Sequence, residues 1–273
     1  MAAHSAATAG VCVPGWPGLT PGHDESGGDN GRRTVILAIL QARSTSSRLP
    51  GKVLLPLAGA PMILRQIERV ARSRRIDRLV VATSVDASDD TLARVVAEAG
   101  VAVYRGPLDD VQARFIGALD AFGPAEHVVR LTADCPLADW TVIDQVIDQV
   151  VREGADYGSN TPPHRTYPKG LDAEAMTAAA LRAAAARAES PEEREHVTWD
   201  LHRRPDRYRQ TYLSQAAEEG DVRWTVDYRD DYAFVVAVYD ALYAANPAFT
   251  SDDVRALVRS RPDLVAFGGE RRV

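Results

Sequence analysis

Three cations stand close together in residues 41–52, QARSTSSRLPGK, which follow directly on the apolar run of residues 35–40. Arg43, Arg48 and Lys52 have no acidic neighbour in this segment, and such side chains make charge-assisted hydrogen bonds to phosphate oxygens. The small polar residues between them let backbone N–H groups turn toward the same anion. A buried strand that ends in such a loop predicts a site for a phosphate chain, and a nucleoside triphosphate is the first candidate.

The same segment does not fit a Walker A loop, which is the nearest alternative phosphate motif. Ser46 stands where that pattern has its first glycine, and Val53 follows the lysine where the pattern has Ser or Thr. An ATPase of that class is therefore not expected. A solvated basic loop without a ligand is the other reading, and the strand before the loop argues against it.

Two aspartates follow apolar runs that we interpret as strands. Asp134 comes after residues 127–132, and Asp227 comes after residues 224–226. Mg²⁺ prefers carboxylate oxygens and retains part of its water, so two acids facing one crevice would form a divalent site. Without a metal the two carboxylates would repel each other. This predicts that Asp134→Asn or Asp227→Asn keeps or raises metal-free stability while turnover is lost.

Apolar strands alternate with amphipathic helical patterns from residue 35 onward, which is typical of a parallel sheet covered by helices on both faces. The periodicity predicts helices over 61–75 and 109–122, from Ser88 and from Asp139, and strands over 79–83, 101–104 and 127–132. Ligands of such sheets bind at the carboxyl ends of the strands. The segments at such ends are the basic loop, Thr83-Ser84, Arg105-Gly106 and Asp134.

The pattern changes after Gly154. A polar, proline-containing stretch leads to residues 167–172, YPKGLD, which predicts an inserted lobe over about residues 155–190 rather than another repeat of the sheet. Ser190, Pro191 and Glu193 then have the types and spacing of a capped helix start. That helix carries residues 194–198, REHVT.

Composition limits the partners and the compartment. The 38 acidic and 32 basic side chains argue against a nucleic-acid surface, so we expect a small anionic partner. Cys12 and Cys135 are too few and too far apart for a disulfide framework or a zinc site, and no apolar stretch approaches the ~20 residues that span a bilayer. The composition of residues 1–33, rich in Ala, Gly, Pro and Ser, predicts a disordered tail, and we expect a single domain over residues 34–273. We therefore expect a cytoplasmic protein with no membrane partner.

Three motifs occur in the order seen in cytidylyltransferases that make CMP-activated acidic sugars: residues 41–52, residues 131–137 (LTADCPL) and residues 224–227 (WTVD). The chain resembles the spore coat polysaccharide biosynthesis branch of that superfamily, which is related to the enzymes that activate acylneuraminate and 3-deoxy-manno-octulosonate. Residues 167–172 and 194–198 resemble that branch specifically. The resemblance covers about residues 36–235.

The resemblance implies a mostly parallel, Rossmann-like nucleotidyltransferase sheet (GT-A-like) with an inserted acceptor and dimerisation lobe. It implies a homodimer that transfers CMP from CTP to an acidic sugar, an ulosonic acid or a phosphonate and releases pyrophosphate. Lys52, Arg48 and Arg43 would be the catalytic cations, and Asp134 and Asp227 would hold Mg²⁺. The implied nucleotide contacts are Gln41, Ala42, Arg43, Ser46, Ser47, Arg48, Lys52, Ala82, Thr83, Ser84, Arg105 and Gly106. Groups suited to an anionic acceptor are Lys169, Asp172, Arg194, Glu195 and His196.

Three points stay open at this stage. Thr45 stands where the branch commonly has glycine, and a β-branched residue resists positive φ. His196 has Asp200 at helical spacing, so a structural ion pair is an alternative to an acceptor role. A glycosyltransferase that uses a nucleotide sugar would need an Asp-x-Asp pair, which residues 134–136 lack, and a non-catalytic nucleotide-binding subunit should lack one of the metal acids or Lys52.

Overall fold

The structure is a computed structural model that describes residues 34–161 and 163–273, together with the backbone of Ala7–Thr8. The predicted disordered tail, residues 1–33, lies outside the described residues apart from that two-residue strand. Its separation from a single domain over residues 34–273 stays a prediction. Within the part of the chain that is described, no helix has the length and apolar character needed to cross a membrane.

Seven strands form the main sheet: β1 (Ile36–Gln41), β2 (Arg78–Ser84), β3 (Ala102–Gly106), β4 (His127–Thr132), β5 (Tyr157–Ser159), β6 (Glu174–Thr177) and β7 (Gln210–Tyr212). Their order is β3-β2-β1-β4-β6-β5-β7, and of these seven only β6 runs antiparallel to its neighbours. Ala7–Thr8 pairs antiparallel with β3 at the edge. The mostly parallel sheet expected from the sequence is confirmed.

Helices cover both faces of this sheet. Those described are α1 (Met62–Val70), α2 (Asp90–Glu98), α3 (Val111–Phe122), α4 (Trp140–Glu153), α5 (Ala178–Arg187), α6 (Pro191–Glu195), α7 (Trp199–Arg203), α8 (Arg229–Leu242), α9 (Ser251–Ser260) and α10 (Pro262–Val265). Apolar side chains of α1, α2 and α4 pack on one face, and those of α3, α5 and α7 pack on the other. A third core forms around Trp224 with α8 and α9.

Four predicted elements differ from the structure. The helix predicted to carry residues 194–198 ends at Glu195, since His196 has the non-helical angles φ −98° and ψ 80°. The first helix ends at Val70 because the Ser73 hydroxyl accepts hydrogen bonds from the backbone N–H groups of Arg75 and Ile76, which forms a turn. Residues 224–226 are not a strand, since their backbone N–H groups bond singly to Lys169 and Asp134 rather than along a ladder.

The predicted lobe is narrower than residues 155–190. Both β5 and β6 belong to the main sheet, so only residues 160–173 connect them outside it. The sequence pattern predicted too wide a lobe because β6 runs antiparallel to its neighbours, which breaks the regular alternation of strand and helix. The same reversal brings Glu174, the first residue of β6, to the edge where the parallel strands end.

The strand order reverses at β1, which lies between β2 and β4. Gln41 at the end of β1 is paired with Thr132 at the end of β4. Ligands of open α/β sheets bind in the crevice at such a switch point. The basic loop follows the end of β1, and Asp134 lies two residues past the end of β4, so the fold places them side by side.

Candidate active site

A pocket of about 300 Å³ lies at this switch point. Its volume is at the lower end of the range for small-molecule sites. The basic loop, the end of β4 and the segment before α8 form its walls. The lining residues are Gln41, Ala42, Arg43, Thr45, Ser46, Ser47, Arg48, Lys52, Val53, Thr132, Ala133, Asp134 and Asp227. Nine of the predicted site residues are therefore together in one pocket.

The ammonium group of Lys52 lies between the two predicted metal acids. Its Nζ atom donates to Asp227 Oδ1 at 3.0 Å, to the Val226 carbonyl oxygen at 2.7 Å and to Asp134 Oδ2 at 3.5 Å. Only 11% of the Lys52 side chain is exposed. Asp134 and Asp227 are 93 positions apart in the sequence, but one cation touches both.

Asp227 is surrounded by cations. Besides Lys52, its Oδ1 atom forms an ion pair with Arg48 Nη2 at 2.7 Å, and its Oδ2 atom accepts from Arg223 Nη2 at 2.9 Å. Burial alone would raise the pKa of Asp227, but the hydrogen bond and charge of Lys52, with Arg223 and Arg48, outweigh burial and lower it. The carboxylate is thus held in its charged form.

The loop cations differ in what they contact. Arg48 is half exposed, bonds to Asp227 and lies over the Tyr228 ring, with its guanidinium carbon 5.3 Å from the ring centroid. Asp227 is the largest cause that raises the pKa of Arg48. Arg43 is exposed, and among the described residues its guanidinium makes no hydrogen bond or ion pair. Arg43 is therefore free to bind an anion at the pocket mouth.

Backbone bonds give the loop its shape. Gly51 adopts φ 69°, a left-handed conformation that favours glycine, and its N–H donates to the Ser44 carbonyl at 3.0 Å. This bond closes the loop before Lys52 enters a short 3₁₀ turn, Lys52–Leu54. Thr45 does not need positive φ, since Ala58 is the one non-glycine residue in that region across the described ranges. The departure from glycine at position 45 therefore introduces no backbone strain.

Asp89 connects the basic loop to the end of β2 through hydrogen bonds, a role that the sequence did not reveal. Its fully buried carboxylate accepts from the Ser44 backbone N–H at 2.6 Å, from the Ser84 N–H at 3.1 Å and from the Ser84 hydroxyl. The residues around it, Ser88-Asp89-Asp90, had suggested only a helix start. Burial alone would raise the pKa of Asp89, but the hydrogen bonds from Ser84 and Ser44 outweigh burial and lower it.

Asp89→Asn is expected to lower the free energy of unfolding by about 2 kcal/mol at pH 7, because an amide replaces a charged acceptor of buried N–H donors. Since the folded pKa of Asp89 is lowered, its contribution is present above about pH 4 and is lost as pH falls through the folded value. Urea unfolding at pH 7 and pH 3 would therefore show a difference between the two proteins that shrinks in acid. An equal difference in unfolding free energy at pH 7 and pH 3 would contradict the role of the charged Asp89 carboxylate.

Other predicted nucleotide contacts do not line this pocket. Ala82, Thr83 and Ser84 are fully buried behind the loop, where the Ala82 carbonyl accepts from the Ala42 N–H at 3.1 Å. Gly106 is also buried, and Arg105 bonds to the Ser84 carbonyl, the Asp86 carbonyl and Asp90. The structure gives these five residues supporting contacts, and their role as direct nucleotide contacts stays a prediction.

The predicted acceptor residues also lie outside this pocket. Asp172 pairs with Arg165, and Arg194 pairs with Asp110 at 3.0 Å. Lys169, Glu195 and His196 are exposed. The possible His196–Asp200 pair does not form, because Asp200 accepts from the Tyr208 hydroxyl at 2.8 Å while His196 stacks on Trp199.

The two acids fit a divalent cation of the magnesium type. Among the described residues, no group of three or more His, Cys, Asp or Glu side chains gathers around one point. A cation here would bind Asp134 and Asp227 and complete its shell with water and ligand oxygens, as Mg²⁺ commonly does. Within the described part of the chain, Asp134 Oδ2 has only the long contact to Lys52. The Asp134 side chain is 31% exposed, so this oxygen can accept a further ligand.

A mostly parallel sheet with a cation-lined pocket at its switch point defines the class as an α/β protein with an anion-binding site at the ends of its strands. Residues 37–225 match the family model described as Cytidylyltransferase. The chain belongs to the cytidylyltransferase family, which confirms the resemblance inferred from the motifs.

The relatives agree on this family. The chain is 31% identical over 239 residues to the spore coat polysaccharide biosynthesis protein SpsF of Bacillus subtilis, which covers 84% of this chain and 95% of that protein. It is 40% identical over 114 residues to the 3-deoxy-manno-octulosonate cytidylyltransferase of Anaeromyxobacter sp., covering 41% and 46% of the two chains. A solved cytidylyltransferase from Leptospira borgpetersenii superposes with a TM-score of 0.80 and 25% identity over 85% of this chain and 97% of that chain.

Proposed function

We propose that this protein transfers CMP from CTP to a small acidic sugar acceptor and releases pyrophosphate. The observation that carries the proposal is the convergence of Lys52, Arg48, Asp134 and Asp227 in one pocket, with Arg43 at its mouth. This arrangement suits a triphosphate, because several cations can each bind a different phosphate oxygen. The names of the relatives support cytidine as the base and a sugar as the acceptor.

In the proposed reaction an acceptor oxygen attacks the α-phosphorus of CTP in line. A bond forms between that oxygen and phosphorus, the bond from phosphorus to the bridging oxygen of the β-phosphate breaks, and pyrophosphate leaves, while a hydroxyl acceptor gives up its proton to water. Lys52 and Arg48 would exchange Asp227 for phosphate oxygens and neutralise the charge that develops on the leaving group. Mg²⁺ bound to Asp134 and Asp227 would supply further charge neutralisation. Positioning and electrostatics provide the catalysis.

The finer assignments are part of the same proposal. Ulosonic acids, other acidic sugars and phosphonates are the candidate acceptors, and Mg²⁺ is the proposed metal. Lys169, Asp172, Arg194, Glu195 and His196 are the proposed acceptor groups, although none lines the pocket described here. A cytoplasmic homodimer that uses an inserted arm over about residues 156–171 is proposed from the family resemblance.

The test is incubation of the protein with each of the four nucleoside triphosphates, Mg²⁺ and a panel of acidic acceptors. Mass spectrometry would detect nucleoside monophosphate conjugates, and a coupled assay would detect pyrophosphate. With CTP we expect both conjugates and pyrophosphate. With each of the other three nucleotides we expect at most a small fraction of that yield. Release of free nucleotide from a nucleotide sugar, with no pyrophosphate from any triphosphate, would instead show a glycosyltransferase and overturn the proposal.

A further inference from the structure

The two oxygens of Asp227 face different surroundings. Oδ1 faces the pocket, where it bonds to Lys52 and Arg48, and Oδ2 faces away and accepts from Arg223 Nη2 at 2.9 Å. Arg223 does not line the pocket. Its guanidinium therefore holds the Asp227 oxygen that Lys52 and Arg48 do not contact.

Arg223 is itself held in place from the other side. Its Nε and Nη2 atoms donate to the two oxygens of Asp231 at 2.9 and 3.0 Å, which is the two-pronged geometry that a planar guanidinium allows. Asp231 is 2% exposed, and its Oδ2 atom also accepts from the backbone N–H groups of Asp227 and Tyr228 at 3.0 and 2.9 Å. One buried carboxylate thus fixes both the backbone and the side-chain partner of Asp227.

A second arginine completes the chain of charges. Arg272, with no exposed surface, donates to Asp231 Oδ1 at 3.1 Å and to the Arg223 carbonyl at 2.6 Å. The Trp224 indole N–H donates to the Arg272 carbonyl at 2.8 Å, so the segment around Arg223 is fastened by side chain and backbone. Signs alternate from Asp227 through Arg223 and Asp231 to Arg272, so the four groups carry no net charge.

We infer that Arg223 is the positioning residue for Asp227, with Asp231 and Arg272 as its support, and this inference rests on the proposed function. Without Arg223, Asp227 can rotate and give both oxygens to Lys52 and Arg48, which withdraws it from a metal and ties down the cations that CTP needs. A lysine at position 223 keeps the positive charge but lacks the several donors of a planar guanidinium. It can therefore bond to Asp227 or to Asp231 but not to both. Groups that orient metal-binding side chains in this way typically contribute about 10 to 100-fold to metal affinity or activity.

The experiment measures Mn²⁺ binding to the protein in the presence of CTP, through the paramagnetic resonance signal of free Mn²⁺. We expect Arg223→Met to weaken CTP-dependent Mn²⁺ binding by about 10 to 100-fold, Arg223→Lys to lie between it and the wild type, and Arg272→Met to weaken binding in the same direction. Arg271→Met is the matched control, because its half-exposed side chain pairs with exposed Asp221 on the same segment and should leave binding unchanged.

The outcomes separate two failures. If the wild type shows no CTP-dependent Mn²⁺ binding, the proposed function fails. If the wild type binds and a folded Arg223→Met variant binds equally well, only the positioning role fails. Should Arg223→Met not fold, the comparison of Arg223→Lys and Arg272→Met with Arg271→Met decides, and equal Mn²⁺ affinity in all three would overturn the inference.

Discussion

Replacing Lys52 with methionine is expected to lower the rate of CMP transfer by about 100 to 1000-fold, the usual cost of removing one group that stabilises charge in a transition state. Among the described side chains, the Lys52 ammonium is the one group that contacts both the Asp134 and the Asp227 carboxylate, and only 11% of the Lys52 side chain is exposed. Methionine has a similar length, so the wall keeps its packing while the charge is lost. Steady-state pyrophosphate release with CTP and an acceptor that yields a conjugate in the panel assay would measure the effect.

The same substitution has a second expected consequence that needs no acceptor. Lys52 separates two carboxylates that would otherwise repel each other, so its removal leaves a pair of acids with a greater demand for a cation. Mn²⁺ binding in the absence of nucleotide should therefore be stronger in Lys52→Met than in the wild type. A variant with normal turnover would remove Lys52 from the mechanism, and unchanged Mn²⁺ binding would show that Asp134 and Asp227 do not share a cation.

Arg94→Met is a suitable control for loss of one positive charge. Arg94 lies on the exposed face of α2 and pairs with Glu98 one helical turn away, with both side chains more than half exposed. Such a surface pair contributes at most about 1 kcal/mol to stability. Turnover of Arg94→Met should equal that of the wild type, so a loss seen only in Lys52→Met reports on the pocket.

The sequence predicted the first half of the fold well because its signals are local. Strands such as β1 and β4 are short apolar runs, and the helices between them keep the helical period, so each element is visible within about fifteen residues. The basic loop was visible for the same reason. Asp134 and Asp227 are predicted as a pair because each follows an apolar run, the family resemblance implies the same pair, and the structure places both beside Lys52.

What the sequence could not show are the partners of these groups. Lys52 and Asp227 are 175 positions apart, and Ser44 and Asp89 are 45 apart, so no local pattern links them. The absence of an acid near Arg48 in the sequence suggested an unbalanced loop, but the fold brings Asp227 to it at 2.7 Å. Residues 224–226 look like a strand because they are mostly apolar, yet Trp224 and Val226 pack into the core around α8 without pairing to any strand in the described part of the chain.

Asp227→Asn is expected to lower the free energy of unfolding of the ligand-free protein by about 2 kcal/mol, in addition to abolishing turnover. Its carboxylate forms ion pairs with Lys52, Arg48 and Arg223 and is only 13% exposed. A neutral amide would therefore leave these three positive charges without their shared negative partner. Removal of one member of a buried ion pair costs up to about 5 kcal/mol, and the exposure of Arg48 reduces the effect here. The sequence-based expectation that metal-free stability is kept or raised is therefore revised for this residue.

Asp134→Asn supplies the matched comparison. Asp134 is 31% exposed, and its contact with Lys52 is long at 3.5 Å, so the substitution should change the free energy of unfolding by less than about 0.5 kcal/mol while turnover is still lost. Urea unfolding of both variants without metal or nucleotide would test the contrast. Equal stability losses would mean that Asp134 stabilises the empty pocket as much as Asp227 does and would contradict this contrast, whereas a loss confined to Asp227→Asn would show that Asp227 is the carboxylate on which the cations depend in the ligand-free state.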